Sequence, residues 1–244
     1  MQVISIALQK GGVAKTTSAT AIAHGLTLHA NRPRVRITDF DRQGHAALAL
    51  GLDPEPGVFN HLVSRQPLPD LVRSTGRDNL DILPGNSYTE TAQDVLAKIN
   101  ELADVPTLIR QIANTTNILV IDTRSSGFLQ EQAIRVADII ISPTRPEHLG
   151  VDGLHQTVCT IQQLNPAARL CILPCCYDGR LTEHVTQWNI LKSTYPSQSF
   201  NCVPQRIAVA EATAEGKTIW ESKARGIEDV QEAYRYLINW ILEN

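Results

Sequence analysis

The chain has 244 residues, a formal net charge of −3, 43% hydrophobic residues and 19% charged ones. That length is enough for one large α/β domain with a substantial core, and a single domain over residues 1–244 is the simplest expectation. The near-neutral balance excludes a protein that coats nucleic acid through bulk charge; any DNA face must be a local patch.

In chain order, Val3 to Leu8 is a short apolar run that reads as a fully buried strand. It follows Met1-Gln2 directly, which predicts no secretory leader and a cytoplasmic protein. Thr16 to Ala30 is Ala/Leu-rich without proline and predicts a helix. Arg34 to Thr38 predicts a second strand, which runs out onto Asp39-Phe40-Asp41. Leu80 to Leu83 is a strand before Pro84-Gly85, and Thr89 to Leu102 has helical spacing through Ala92, Val95, Leu96 and Ile99. Asn117 to Asp122 is the clearest strand. A helix through Ala133 and Val136 leads to a strand over 137–143, and further strands are expected at 169–174 and 200–204. Ile227 to Leu242 closes as a helix. Strands separated by helices, without hairpin signals, predict βαβ units and a mostly parallel central sheet flanked by helices. No apolar stretch approaches the ~20 residues of a membrane span.

Five cysteines (Cys159, Cys171, Cys175, Cys176, Cys202) show no C-x-x-C spacing and read as small buried side chains in a reducing compartment.

Between the first strand and first helix lies Lys10-Gly11-Gly12-Val13-Ala14-Lys15-Thr16-Thr17. A strand–loop–helix unit presents backbone N–H groups and the positive end of the helix dipole, the requirements of a phosphate site. Gly11 and Gly12 allow the backbone to approach phosphate oxygens closely. Lys15 would neutralise the β- and γ-phosphates, and the Thr16 hydroxyl would ligate Mg²⁺. The strict G-x-x-x-x-G-K-[ST] pattern fails, because its outer glycine positions hold Gln9 and Ala14. Ala14 is harmless there if its φ is negative, and that conformation is the expectation.

The run Gln9 to Thr17 resembles the deviant Walker A motif of the ParA/MinD group of P-loop (SIMIBI-type) ATPases. Asp39-Phe40-Asp41-Arg42-Gln43-Gly44-His45 resembles that group's D-x-D-P-Q-G-N segment. Tyr177 to Arg180, Val203 to Arg206, Glu211-Ala212 and Gly216 to Ile219 are similar to the ParA branch. The likeness is weakest between about residues 55 and 115. It implies that Lys10 reaches the partner's ATP across a dimer interface and that Asp41 orients or deprotonates the attacking water. It also implies that Asp39 and Asp122 hold the Mg²⁺ shell, and that the adenine meets the loops around Cys176–Asp178 and Val203–Arg206, with Asp178, Pro204 and Arg206 at it.

The sequence departs from the group after Asp122, where Thr123-Arg124-Ser125-Ser126-Gly127 replaces D-x-P-P, so the stiffening prolines are missing. Arg124 reads equally as a phosphate-facing arginine and as an interface salt bridge. Beside Asp41, Arg42 and His45 stand where the group has proline and asparagine. His45 reads as an exposed loop side chain more readily than as one perturbing the water.

The resemblance further implies a homodimer when ATP is bound, non-specific DNA binding and hydrolysis stimulated by a small adaptor protein. Such a cycle would segregate or position a cargo from the nucleoid. Basic residues do not outnumber acidic ones from Gly150 onward, so a DNA face would be drawn from Lys192, Lys217, Lys223 and Arg225. No helix-turn-helix extension precedes the first strand, and operator binding is not expected. The rival is a MinD-like membrane cycler, which would need a basic, amphipathic C-terminal helix. Here Arg235 is the one nearby cation, and Tyr234, Leu237, Ile238, Trp240 and Ile241 are expected to pack on the body.

Overall fold

A computed structural model describes residues 1–55 and 57–243. Seven strands form one sheet: β1 (Gln2–Ile6), β2 (Val35–Asp39), β3 (Arg73–Arg77), β4 (Leu80–Leu83), β5 (Ile118–Asp122), β6 (Ile139–Thr144) and β7 (Arg169–Pro174). Their order is β3-β4-β2-β5-β1-β6-β7, with every neighbouring pair parallel except β3–β4. The expected α/β fold with a mostly parallel, helix-flanked sheet is therefore the observed one.

Side chains alternate across the strands and both faces are buried, as a parallel sheet demands. Ile4, Ile6, Ile37 and Val120 face one core, closed by the helices Lys15–Thr27 and Ile227–Leu242. Val3, Leu119 and Ile121 face the other, closed by Val105–Ala113 and Phe128–Val136. β2 also buries Arg36, which Asp81 of β4 holds bidentately at 2.6 and 2.8 Å.

Three expectations need correction. Residues 200–204 form no strand; the isolated parallel bridges in this part of the chain join Ile172 to Ser199 and Tyr177 to Pro204. At Pro204, which has no N–H, the pairing is a single bridge made by the Val203 carbonyl and the Gln205 N–H on either side of it. A hairpin is also present: β3 pairs antiparallel with β4 through Asp78 and Asn79, the latter left-handed at φ 60°. The segment 89–102 divides into a 3₁₀ turn, Ser87–Thr91, and the helix Ala92–Lys98. The closing helix buries Tyr234, Leu237, Ile238 and Ile241, as expected. No helix among the described residues is long and apolar enough to cross a membrane.

Candidate nucleotide site

The C-terminal ends of β1, β2 and β5 meet at one edge, the place where parallel sheets bind ligands. In register, Ile6 lies beside Asp122, and Asp122 beside Asp39. β1 then runs into the loop that ends at Lys15, the first residue of the helix Lys15–Thr27. That helix has no side-chain N-cap, so its first-turn N–H groups are left for an anion.

Ala14 contradicts its expectation. It sits at φ 68°, ψ 30°, in the left-handed region, and Gly12 does too at φ 70°. An alanine there costs roughly 1–2 kcal/mol. Ala14 is the N-cap residue of the helix, and its left-handed turn sets the angle at which the loop enters Lys15–Thr27. A Cβ added at Gly11 or Gly12 meets nothing within 4 Å, so both face open space.

Lys15 turns its Nζ onto the Lys10 carbonyl at 2.6 Å. Burial lowers its pKa, against the pull of Asp122 and Asp41. Lys10 is half-buried at the lip of the loop and makes no ion pair among the described residues.

Asp39 and Asp122 are both fully buried. Asp39 accepts the Asp41 N–H at 2.8 Å on Oδ1 and the Ala46 N–H at 2.9 Å on Oδ2, and so shapes the loop that carries Asp41. Burial and the neighbouring Asp122 still push it well above the usual carboxylate range. Asp122 has no hydrogen-bond partner on either oxygen among the described residues. Burial raises it to about 7, opposed by the nearby Thr16 hydroxyl and Lys15. Two buried carboxylates, one of them orphaned beside a threonine hydroxyl and an open glycine cradle, fit a divalent cation and a polyphosphate.

The segment after Asp122 is pinned from below. Thr123 Oγ1 donates to the Ile6 carbonyl at 2.8 Å, and Gln130 Nε2 donates to the Arg124 carbonyl at 2.8 Å. The Arg124 guanidinium pairs with Glu90 at 3.0 Å, an intramolecular ion pair. His45 is exposed.

A mostly apolar cavity of about 560 Å³ adjoins the loop and is lined by Ala14, Thr17, Cys176, Pro204, Arg206 and Tyr234, among others. Its far wall is built where the chain after β7 zips onto residues 203–205, with Tyr177 N–H to Val203 O at 3.0 Å and Gln205 N–H to Tyr177 O at 2.9 Å. Pro204 and Arg206 therefore reach this cavity, and Asp178 does not. Asp178 pairs with Arg180 at 2.6 Å, which holds its carboxyl far below the usual range. Cys176, at the start of one expected adenine loop, also lines it, whereas Tyr234 escaped sequence reading, because a lone aromatic on an amphipathic helix carries no sign of a ligand.

The four candidate DNA residues are all exposed. Lys192 lies over the Trp188 ring at 5.2 Å, and Lys217 pairs with Glu215 at 2.8 Å. Lys217 and Lys223 share a cavity wall with Glu211, Glu215 and Glu221. Among the described residues no His/Cys/Asp/Glu group forms a metal cluster.

Comparison with known proteins agrees with this geometry. A family model described as an AAA domain matches residues 1–171. The chromosome-partitioning ATPase Soj of Thermus thermophilus is 32% identical over 227 residues, covering 88% of this chain and 86% of that protein. The fold recurs in solved structures. An ATP complex of a Cyanothece McdA variant superposes with a TM-score of 0.87 at 20% identity, over 100% of this chain and 96% of that one. Cobyrinic acid a,c-diamide synthase from Mycobacterium smegmatis, with bound ATP analogue and magnesium, gives 0.80 at 25% identity, over 100% and 95%. The chain is an ATPase, and it belongs to the ParA/MinD family.

Proposed function

We propose that the chain works as a ParA-type positioning ATPase whose site is completed by a second copy. The observation that carries this reading is Lys10, a half-buried cation at the lip of the phosphate loop with no ionic partner among the described residues. Placed against the triphosphate of a facing subunit, it would make nucleotide binding and dimerisation one event. Within each subunit, residues Lys10 to Thr17 would cradle the phosphates, with Lys15 leaving the Lys10 carbonyl for them. The Thr16 hydroxyl and Asp122 would hold Mg²⁺, which supplies charge neutralisation on the phosphates. Asp39 would act in the same shell by fixing the loop of Asp41, and Asp41 would orient or deprotonate water. The cavity at Pro204 and Arg206 would take the base.

The ATP-bound dimer would bind DNA non-specifically through Lys192, Lys217, Lys223 and Arg225, doubled by symmetry. A small adaptor protein would stimulate hydrolysis and release it. The cargo so segregated or positioned would be a plasmid, a chromosome or a protein assembly, with the protein cytoplasmic and nucleoid-associated. A membrane-cycling alternative is less favoured, because Tyr234, Leu237, Ile238 and Ile241 of the closing helix are already buried against the body. Retention on non-specific duplex DNA tests the reading. We expect binding with ATP and Mg²⁺, its loss with ADP, and a shallower salt dependence in a Lys192→Ala/Lys223→Ala/Arg225→Ala variant. Retention indifferent to nucleotide would contradict it.

A further inference from the structure

Glu90 stands outside every motif, in the part of the chain with the weakest family likeness, yet it touches both loops that carry the site's acids. Its Oε2 accepts from Arg42 Nη1 at 3.1 Å and its Oε1 from Arg124 Nη1 at 3.0 Å. Arg42 follows Asp41 directly, and Arg124 lies two residues after Asp122.

The turn that presents Glu90 is itself fixed. In the 3₁₀ turn Ser87–Thr91, the Asn86 side chain accepts the Tyr88 N–H at 3.1 Å and Thr89 Oγ1 accepts the Asn86 N–H at 3.0 Å, with Thr89 buried. One residue earlier, Gly85 packs so tightly that an added Cβ would lie 2.3 Å from the Asp39 carbonyl and 2.9 Å from that of Asp41. Glu90 is thus carried on a support in register with the end of β2. The segment Thr123–Gly127, by contrast, has no proline to stiffen it. Its order comes from side-chain contacts, and among the described residues Arg124–Glu90 is the one that ties it to the Asp41 loop.

We infer that Glu90 is a positioning residue for ATP hydrolysis, a single carboxylate that locks the loop of Asp41 and the loop after Asp122 into one geometry. Half-exposed ion pairs add little to fold stability. Their leverage here is on placement, since a small misplacement of reacting groups can cost far more in rate than in stability. Arg124, first, and Arg42 hold the Glu90 carboxyl below its ordinary range, so the clasp stays charged at neutral pH. The inference rests on the reading of Asp41 and Asp122 as the hydrolytic and Mg²⁺-holding acids.

The test compares Glu90→Gln and Glu90→Ala with the parent protein in steady-state hydrolysis, thermal melting and hydrogen exchange of the nucleotide-free chain. We expect kcat to fall about 10-fold with KM for ATP within about twofold. Melting should move little, while exchange rises in both 40–46 and 122–128. Added salt should lower kcat in the parent and not in Glu90→Gln. Arg124→Gln should reproduce the effect, without further loss when combined with Glu90→Gln. Unchanged or raised kcat in Glu90→Gln, or exchange unaltered in either loop, would overturn the inference. Asp41→Ala and Asp122→Ala separate the two levels. If they abolish hydrolysis while Glu90→Gln does not slow it, the clasp alone fails; if they hydrolyse normally, the underlying reading fails with it.

Discussion

Asp39 and Asp122 are register partners across β2 and β5, and they use their buried carboxylates differently. Asp39 accepts two backbone N–H groups, whereas Asp122 accepts none among the described residues. The same substitution should therefore have opposite signatures. Asp39→Asn turns an amide N–H against a backbone N–H and should cost about 1–3 kcal/mol in stability. Asp122→Asn should leave melting of the nucleotide-free protein unchanged or raised, yet lower hydrolysis by roughly 100-fold or more by weakening the hold on Mg²⁺. Melting curves and ATPase rates for the pair check this; equal destabilisation by both would contradict it.

Ala14→Gly should stabilise the chain. The left-handed alanine costs roughly 1–2 kcal/mol, and part of the relief is returned as the ~0.4–1 kcal/mol of extra unfolded-chain freedom of glycine. A net gain of about 0.5–1 kcal/mol is expected, read as a melting temperature higher by roughly 1–4 °C. A lower melting temperature would show that the loop relaxes when no nucleotide is bound.

Gly85→Ala should damage the site from outside it. The new Cβ falls 2.3 Å from the Asp39 carbonyl, and backbone must move to admit it. We expect a stability loss of about 1–3 kcal/mol together with a reduced kcat. Parental kcat in this variant would mean that the Asp39–Asp41 backbone is not held where hydrolysis needs it.

His24 supplies a pH dependence. It is buried, with Nδ1 2.6 Å from Thr218 Oγ1. Burial lowers its pKa below 6.5, against the pull of Glu221 and with a further push from Arg77. The unfolded chain therefore binds the proton more readily than the folded one, so stability falls as pH drops below about 6.5. His24→Gln should flatten that part of the melting profile relative to the parent. Parallel profiles from about pH 7.5 to 5.5, the window around the unfolded imidazole's titration, would remove His24 as the cause.

The buried strands and the phosphate loop were legible because both are written locally. β1, β5 and β7 are mostly apolar runs, and Lys10 to Thr17 follows within a few residues of the first of them. β3 escaped notice because Arg73-Ser74-Thr75-Gly76-Arg77 is a half-exposed edge strand with no apolar alternation. The run 200–204 misled for the opposite reason, being apolar enough for a strand but ended by Pro204. Ala14 was misjudged because its conformation is imposed by the loop and not by its own preference. Glu90 reads in sequence as one more solvated acid; only the fold brings Arg42 and Arg124 to it.

The central claim is that the site at Lys10, Lys15 and Asp122 is finished by a second copy when ATP is bound. The most direct measurement is the solution mass of Asp41→Ala with ATP and Mg²⁺, in which slowed hydrolysis should preserve the complex. The account predicts a species of twice the 26.9 kDa chain, reverting to one chain when Lys10→Ala is added. A single-chain mass at saturating ATP would contradict it.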